Sequence, residues 1–351
     1  KTNRYKDVKL SDSMIFLSSL RKDKKVAIKN NSASLIDLAD GVFCLEYHTK
    51  MNAINDGIIE MLGKSVDHVA KNGVGLVVGN QAPGIPGAFS AGGDLSMMLG
   101  LAREKKYKLI DEGLLALQTA FQGMRYAPYP VVAAPFGLTL GGGCETCMWT
   151  DRIVAHCELY MGQVEIGAGL LPAGGGCLSL WRRFIETVPR PVQLADMGAY
   201  FVPVVMMLAR AKVSTSASDA RNSGFLGAQD RVVFNKDYLI GEAKKEVLRM
   251  VDAGYAPPVK GPLPVMGREG IGMVLADLFS MVEGGFVPPH MEAISKKIAH
   301  VVAGGNVKAG TLVTEEHILQ LEREAFCELW STENTRKMAE HILKTGKPLM
   351  M

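Results

Sequence analysis

Glu145 and Glu165 carry the strongest chemical signal in this chain. Glu145 follows Gly141-Gly142-Gly143-Cys144 and precedes Thr146-Cys147-Met148-Trp149, while Glu165 sits in Met161-Gly162-Gln163-Val164-Glu165-Ile166, so both carboxylates lie in apolar surroundings. Carboxylates are seldom buried without a partner, because stripping their hydration is costly. Two held close together disfavour each other's charge, which raises the pKa of one and lets the pair divide into acid and base. Taken singly, each has an ordinary reading as a helix cap or salt-bridge partner. What favours catalysis is the company of two glycine-rich junctions, Gly92-Gly93 followed by Asp94 as an N-cap, and Gly141-Gly142-Gly143. Glycine lets a ligand approach the unpaired N–H groups of a helix start. Two such groups converging on one oxygen would form an oxyanion hole, suited to a reaction that builds negative charge on a carbonyl oxygen. The ordinary reading of one glycine run is a tight turn; two runs in one fold weaken that reading.

The elements that must position these groups follow from pattern. Ser34 to Leu38 and Val42 to Tyr47 are apolar runs joined by Ala39-Asp40-Gly41, a hairpin signal. Residues 54–70 have helical spacing, 75–78 a buried-strand pattern, and 79–93 form a loop shaped by Gly79, Pro83, Gly84, Pro86, Gly87, Gly92 and Gly93. One helical tract is expected from there through Arg125, then a buried strand over 130–140, a short helix to about Trp149 and a strand over 152–156. Another unit carries Glu165 and ends in Gly174-Gly175-Gly176. Repeated strand-helix units predict an α/β fold with largely parallel strands. Beyond Asn235 the pattern is mainly helical, with tracts at 239–253, 270–283, 291–302 and 315–343. Three regions result: a linker or surface arm over 1–30, a core over 31–235 and a helical C-terminal region over 236–351.

Composition excludes more than it identifies. The 351 residues are 48% apolar and 21% charged, which suits an ordinary globular protein, and a formal charge of +3 is too slight to imply nucleic acid or an anionic membrane as the main partner. No apolar run reaches the ~20 residues of a membrane span, and Met14 to Leu20 is too short for a signal peptide. The six cysteines read as reduced thiols of a soluble, cytoplasmic protein, with Cys144 and Cys147 as core packing. The seven histidines show no metal-ligand spacing, and neither a GxGxxG after the first strand nor a P-loop occurs, so no metal and no bound cofactor is expected.

Four ordered motifs resemble the crotonase, or enoyl-CoA hydratase/isomerase, superfamily: Thr49-Lys50-Met51-Asn52-Ala53-Ile54, Phe89-Ser90-Ala91-Gly92-Gly93-Asp94-Leu95, the run Pro135 to Glu145, and Gly162-Gln163-Val164-Glu165-Ile166 with Leu171-Pro172. The resemblance implies an α/β spiral of ββα units with a helical C-terminal region, assembled as trimers or hexamers, acting on acyl-CoA thioesters with coenzyme A as part of the substrate. It places the oxyanion N–H groups on Gly93 and Gly142 and the two hydratase glutamates on Glu145 and Glu165. Its CoA site falls on Lys50, Asn52, Ala53 and Ala91, with Leu95 beside them, and on Lys344 and Lys347, which would meet the phosphates on this or a neighbouring subunit. The implied reaction is reversible hydration of a trans-2-enoyl-CoA in fatty-acid or short-chain acyl-CoA metabolism. Enoyl-CoA isomerisation and a non-catalytic RNA-binding or scaffold role are the alternatives. Gly93, Val164 and Cys177 depart from the common alanine, proline and threonine. The wording of PFGLTLGGGCE, VSTSASDAR, LEREAF and LKTGKPL is similar to the hydratase part of bifunctional 3-hydroxyacyl-CoA dehydrogenase/enoyl-CoA hydratase proteins. With Lys at position 1, the expectation is a hydratase portion whose dehydrogenase partner lies upstream.

Overall fold

A computed structural model describes residues 11–81, 87–189, 191 and 196–351. From the fourth strand to the ninth, successive strands alternate between two sheets. Strands β4 (Gly75–Gly79), β6 (Val131–Ala134) and β8 (Arg152–His156) join β1 (Val26–Lys29), β2 (Ala33–Asp37), β3 (Val42–Tyr47) and β10 (Arg231–Val233) in a seven-stranded sheet of order β1-β2-β3-β4-β6-β8-β10. The strands that follow them, β5 (Ala88–Ser90), β7 (Gly137–Leu140) and β9 (Leu159–Gly162), build a separate three-stranded sheet of order β5-β7-β9, parallel throughout. The larger sheet is antiparallel only across β1-β2-β3. Its buried strands read as continuous apolar runs because both faces are covered.

The hairpin expected at Ala39-Asp40-Gly41 is present, with Leu35 opposite Leu45. Helix α2 (Asp56–Asn72) is capped by the Asn55 side chain, which accepts from the Ile58 N–H, and buries Ile58, Met61, Leu62 and Val69 toward the core. Asp94 caps α3 (Leu95–Arg103) as expected, accepting from Ser96 and Met97. On β4, Gly75 and Gly79 leave room for the helix over Leu239–Asp252: a Cβ at either position would meet Val247 at 2.2 Å or Ile240 at 2.6 Å.

Four expectations change. The run 130–140 is two strands, β6 and β7, which go to different sheets on either side of Pro135 and Phe136; proline supplies no N–H to continue the ladder. The tract through Arg125 is α3 plus α4 (Tyr107–Arg125), broken where Lys105 turns to φ +57°. The tract 315–343 is two helices that meet at Thr332, whose extended backbone ends one while its hydroxyl caps the next. The region 1–30 is not simply a surface arm. Within its described part, α1 (Leu17–Lys22) buries Leu17, Gln81 ties both the Leu17 N–H and the Ile15 carbonyl to the core, and β1 forms the sheet edge. Residues 1–10, together with Pro83, Gly84 and Pro86, lie outside the described residues.

Further helices are α5 (Gly142–Met148), α6 (Gly176–Ile185), α7 (Gly198–Ala209), α8 (Ala217–Asn222), α9 (Leu239–Asp252), α10 (Gly267–Glu283), α11 (Pro289–Val302), α12 (Glu315–Ser331) and α13 (Glu333–Thr345). Among the described residues no helix is long and apolar enough to cross a membrane. Cys144 and Cys147 are fully buried on α5, in keeping with core packing, and burial raises both thiols.

Candidate active site

The carboxyl ends of the three parallel strands β5, β7 and β9 lead into Gly93, Gly142 and Glu165 in turn. Ile54 fixes the first of these. Its N–H donates to the Gly92 carbonyl at 2.8 Å and its carbonyl accepts from the Asp94 N–H at 2.9 Å, so by strand alternation the Gly93 N–H faces away from Ile54. Gly142 opens α5, where a first-turn N–H has no partner in its own helix. Among the described residues neither N–H has an acceptor. The two segments touch: a Cβ on Gly142 would stand 3.5 Å from the Gly93 nitrogen.

Both glycines line a cavity of about 750 Å³ together with Glu145 and Glu165. The rest of the wall is largely apolar and includes Leu95, Met97, Met98, Leu101, Leu114 and Phe326. Convergent polar groups in an otherwise apolar hollow are the usual form of a small-molecule site.

Glu145 projects from α5 and is 3% exposed. Its Oε1 accepts the N–H groups of Gly174 and Gly176, both at 2.8 Å, at the glycine-rich start of α6. Burial pushes its pKa up to about 7, against the pull of those two N–H groups. Glu165 begins a short 3-10 turn over Glu165–Ala168; burial first, then the charge of Glu145, holds it well above the usual carboxylate range. Gln163, almost fully buried, stands beside it: with its amide N–H groups turned toward Glu165 it donates to both carboxylate oxygens at 3.1 Å. Neither glutamate has a cationic partner among the described residues.

A carboxyl with a raised folded-state pKa binds more protons folded than unfolded between the two values. Its contribution to stability is therefore full below the ordinary 4.5 and is lost as pH rises toward 7. Glutamine at 145 keeps an oxygen for both glycine N–H groups and removes the buried charge. Glu145→Gln should raise the melting temperature at pH 8, by up to about 3 kcal/mol in stability, with the gain shrinking at pH 5. Equal melting shifts at both pH values would show that Glu145 is not protonated in this range.

The expected CoA residues separate. Ala91 and Leu95 line the cavity. Asn52 is buried and structural in its contacts, its amide donating to the Ala88 carbonyl and its own carbonyl accepting from Ser90 Oγ. The Ala53 carbonyl is taken by Thr49, and Lys50 is exposed on the turn before it. Lys344 and Lys347 are exposed at the end of the chain, Lys344 paired with Glu340 at 2.7 Å. Helix α13, which carries Lys344 and ends just before Lys347, also brings Ile342 to the cavity wall.

Residues 40–189 match the family model for enoyl-CoA hydratase/isomerase. That segment is a crotonase-family domain. The chain is 39% identical over 345 residues to a Bacillus subtilis protein named as a probable 3-hydroxyacyl-CoA dehydrogenase, covering 98% of this chain and 42% of that protein. A probable enoyl-CoA hydratase from Rhizobium meliloti is 32% identical over 143 residues, 40% of this chain and 52% of the other. The chain thus spans about half or less of the length of either relative. The crystal structure of enoyl-CoA hydratase from Bacillus halodurans shares the fold at a TM-score of 0.58 and 15% identity, over 88% of this chain and 99% of that one. The α/β spiral with a helical C-terminal region is therefore the crotonase fold.

Two buried polar residues next to the crotonase site were not singled out from sequence. Gln163 lies inside the quoted Gly162-Gln163-Val164-Glu165 motif. Glu322 lies on α12 in the buried stripe of Ile318, Leu319, Ala325, Phe326 and Leu329, and a glutamate at the core positions of a 3.6-residue pattern is a readable signal.

Proposed function

We propose that this chain catalyses the reversible addition of water to a trans-2-enoyl-CoA, giving a 3-hydroxyacyl-CoA. One observation carries the reading: Gly93 and Gly142, whose backbone N–H groups have no acceptor among the described residues, and Glu145 and Glu165, which have no cationic partner among them, line one largely apolar cavity. The N–H pair accepts the thioester oxygen, and as electrons move onto it the C3 carbon becomes electrophilic. A water held between the glutamates adds its oxygen to C3. Glu145 orients that water and takes its proton, while Glu165 delivers a proton to C2; the pair shares its protons, so the reverse reaction uses the same groups. Water is consumed, no electrons are transferred, and no prosthetic group or metal enters the step.

The apolar wall receives the acyl chain. Lys50, Asn52, Ala53, Ala91 and Leu95 border the CoA path, with Asn52 acting through the loop it braces, and Lys344 and Lys347 supply positive charge for the phosphates. A homotrimer or hexamer in the cytoplasm, with a dehydrogenase unit joined upstream, completes the proposal; the Bacillus subtilis relative, more than twice as long as its match to this chain and named a dehydrogenase, supports a joined unit without fixing its side.

The direct test is the ultraviolet absorbance of the conjugated enoyl thioester. The protein should bleach a 2-enoyl-CoA faster than it converts a 3-enoyl-CoA. Preferred turnover of the 3-enoyl substrate would instead make this an isomerase.

A further inference from the structure

Glu322 is fully buried, and the mechanism above does not use it. It reaches from α12 to the same glycine-rich turn that grips Glu145. Its Oε2 accepts the Gly175 N–H at 2.7 Å and its Oε1 accepts the Leu178 N–H at 2.9 Å. Four N–H groups at the start of α6 are thereby shared between two carboxylates: those of Gly174 and Gly176 go to Glu145, those of Gly175 and Leu178 to Glu322. Gly175 sits at φ +92°, and Trp149 donates from Nε1 to the Gly174 carbonyl at 3.1 Å, so the turn is held from three sides.

We propose that Glu322 is a positioning residue for the hydration reaction: by holding the Gly175 and Leu178 N–H groups it keeps the Gly174 and Gly176 N–H groups aimed at Glu145. This rests on the hydratase reading for its consequence, though not for its geometry. A merely structural ion pair is excluded among the described residues, since the cations of every element packed on α12 are engaged elsewhere. On α4, Arg125 pairs with Glu186 and Lys108 with Glu112; on α6, Arg182 pairs with Glu315 and Arg183 with Asp230; on α11, Lys296 pairs with Glu292 and Lys297 with Glu328; on α13, Lys337 pairs with Glu333, Lys344 with Glu340 and Arg336 donates to the Trp330 and Ser331 carbonyls; on α3, Arg103 pairs with Glu340. On α12 itself, Arg323 turns to Asp111 and Gln118 of α4, and His317 to the Gly304 carbonyl. The acidic neighbour facing Glu322 is Glu145, and the adjacent Cys177 thiol is itself raised by burial and by Glu322. Burial and Glu145 keep Glu322 well above the usual carboxylate range.

The test compares Glu322→Gln with the unsubstituted protein. Glutamine has one acceptor oxygen where two are used, so one N–H loses its partner and the turn loosens. Looser N–H groups at 174 and 176 stabilise the Glu145 anion less. We expect kcat to fall on the order of 10-fold with KM little changed, and the acid limb of the pH–rate profile to move up by about one pH unit. An acid limb that moves down reports only the removal of a nearby negative charge, and an unmoved limb reports only packing; either overturns the proposal. Amide hydrogen exchange gives an arm independent of turnover: exchange over 173–178 should accelerate in the variant more than elsewhere, and uniform acceleration would count against the proposal. If the variant does not fold, those amides in the unsubstituted protein should rank among the slowest to exchange, and exchange at loop rates would overturn it. Absence of hydration by the unsubstituted protein itself sinks the hydratase reading and leaves the exchange result to judge Glu322.

Discussion

Glu145→Gln and Glu165→Gln should each lower hydration of a 2-enoyl-CoA by about 10³-fold, and the double variant should be little worse than the poorer single one. A positioned general acid or base is worth roughly 10²–10⁴-fold, and groups that act as a unit give non-additive losses. The structure supports the unit: both carboxyls line one cavity, and the charge of one raises the pKa of the other. Glutamine preserves the shape of each side chain and, at 145, an oxygen for the Gly174 and Gly176 N–H groups. The loss should therefore appear in kcat, with acyl-CoA binding retained. Absorbance decay measured for all three variants decides the matter; a double variant at full activity would remove both residues from the chemistry.

Gly141→Ala should nearly abolish activity and lower stability, through a position that touches no substrate. Gly141 has φ +52° and ψ −123°, a conformation that costs an alanine on the order of 1–3 kcal/mol. An added Cβ would also lie 2.7 Å from Glu165 Oε1, so the carboxyl must leave its place. The backbone has little freedom to yield, since the Gly141 N–H donates to the Gly162 carbonyl and its own carbonyl accepts from the Glu145 N–H, both at 2.9 Å. Loss of Glu165 alignment should cost at least about 10²-fold in kcat. Gly63→Ala on α2 is the control: a Cβ there meets nothing within 4 Å, and alanine in a helix should be neutral or raise stability by roughly 0.4–1 kcal/mol. Thermal melts and rates on the two variants should diverge in both readouts. A Gly141→Ala protein with normal kcat would show that Glu165 is not held where the structure places it.

Much of this site is legible in sequence because its parts are local. A glycine run ahead of a helix start and a glutamate four residues after Gly141 belong to one short segment, and Asp94 announces its own helix. The breaks inside long patterns are less legible. Nothing in the apolar character of 130–140 says that Pro135 sends the chain from one sheet to another, since both halves are equally buried. Lys105 adopts a left-handed conformation in an otherwise charged, helix-compatible stretch, so the α3–α4 break leaves no compositional mark. Glu322 is the hardest case. Its helical stripe shows that it is buried, but its pairing with Gly175 and Leu178 joins segments about 145 residues apart, and periodicity carries no information about such contacts. Asn52 is a different case: the resemblance places the backbone near it in a CoA-binding segment, and the structure adds that its side-chain amide donates to the Ala88 carbonyl, a contact between segments that no local pattern announces.

The spiral distributes the active site along the time axis of synthesis. Each turn of ββα structure delivers one functional group at the end of its inner strand: Gly93 after β5, Gly142 after β7, Glu165 after β9. The brace on the start of α6 arrives only with α12, after residue 315. A nascent chain emerging N-terminus first therefore possesses the proposed oxyanion donors well before it possesses a braced Glu145. On the proposed function, turnover would then reach its full rate only late, when the last helices dock, so full rate would report that the polypeptide has been made through to its C-terminal helices.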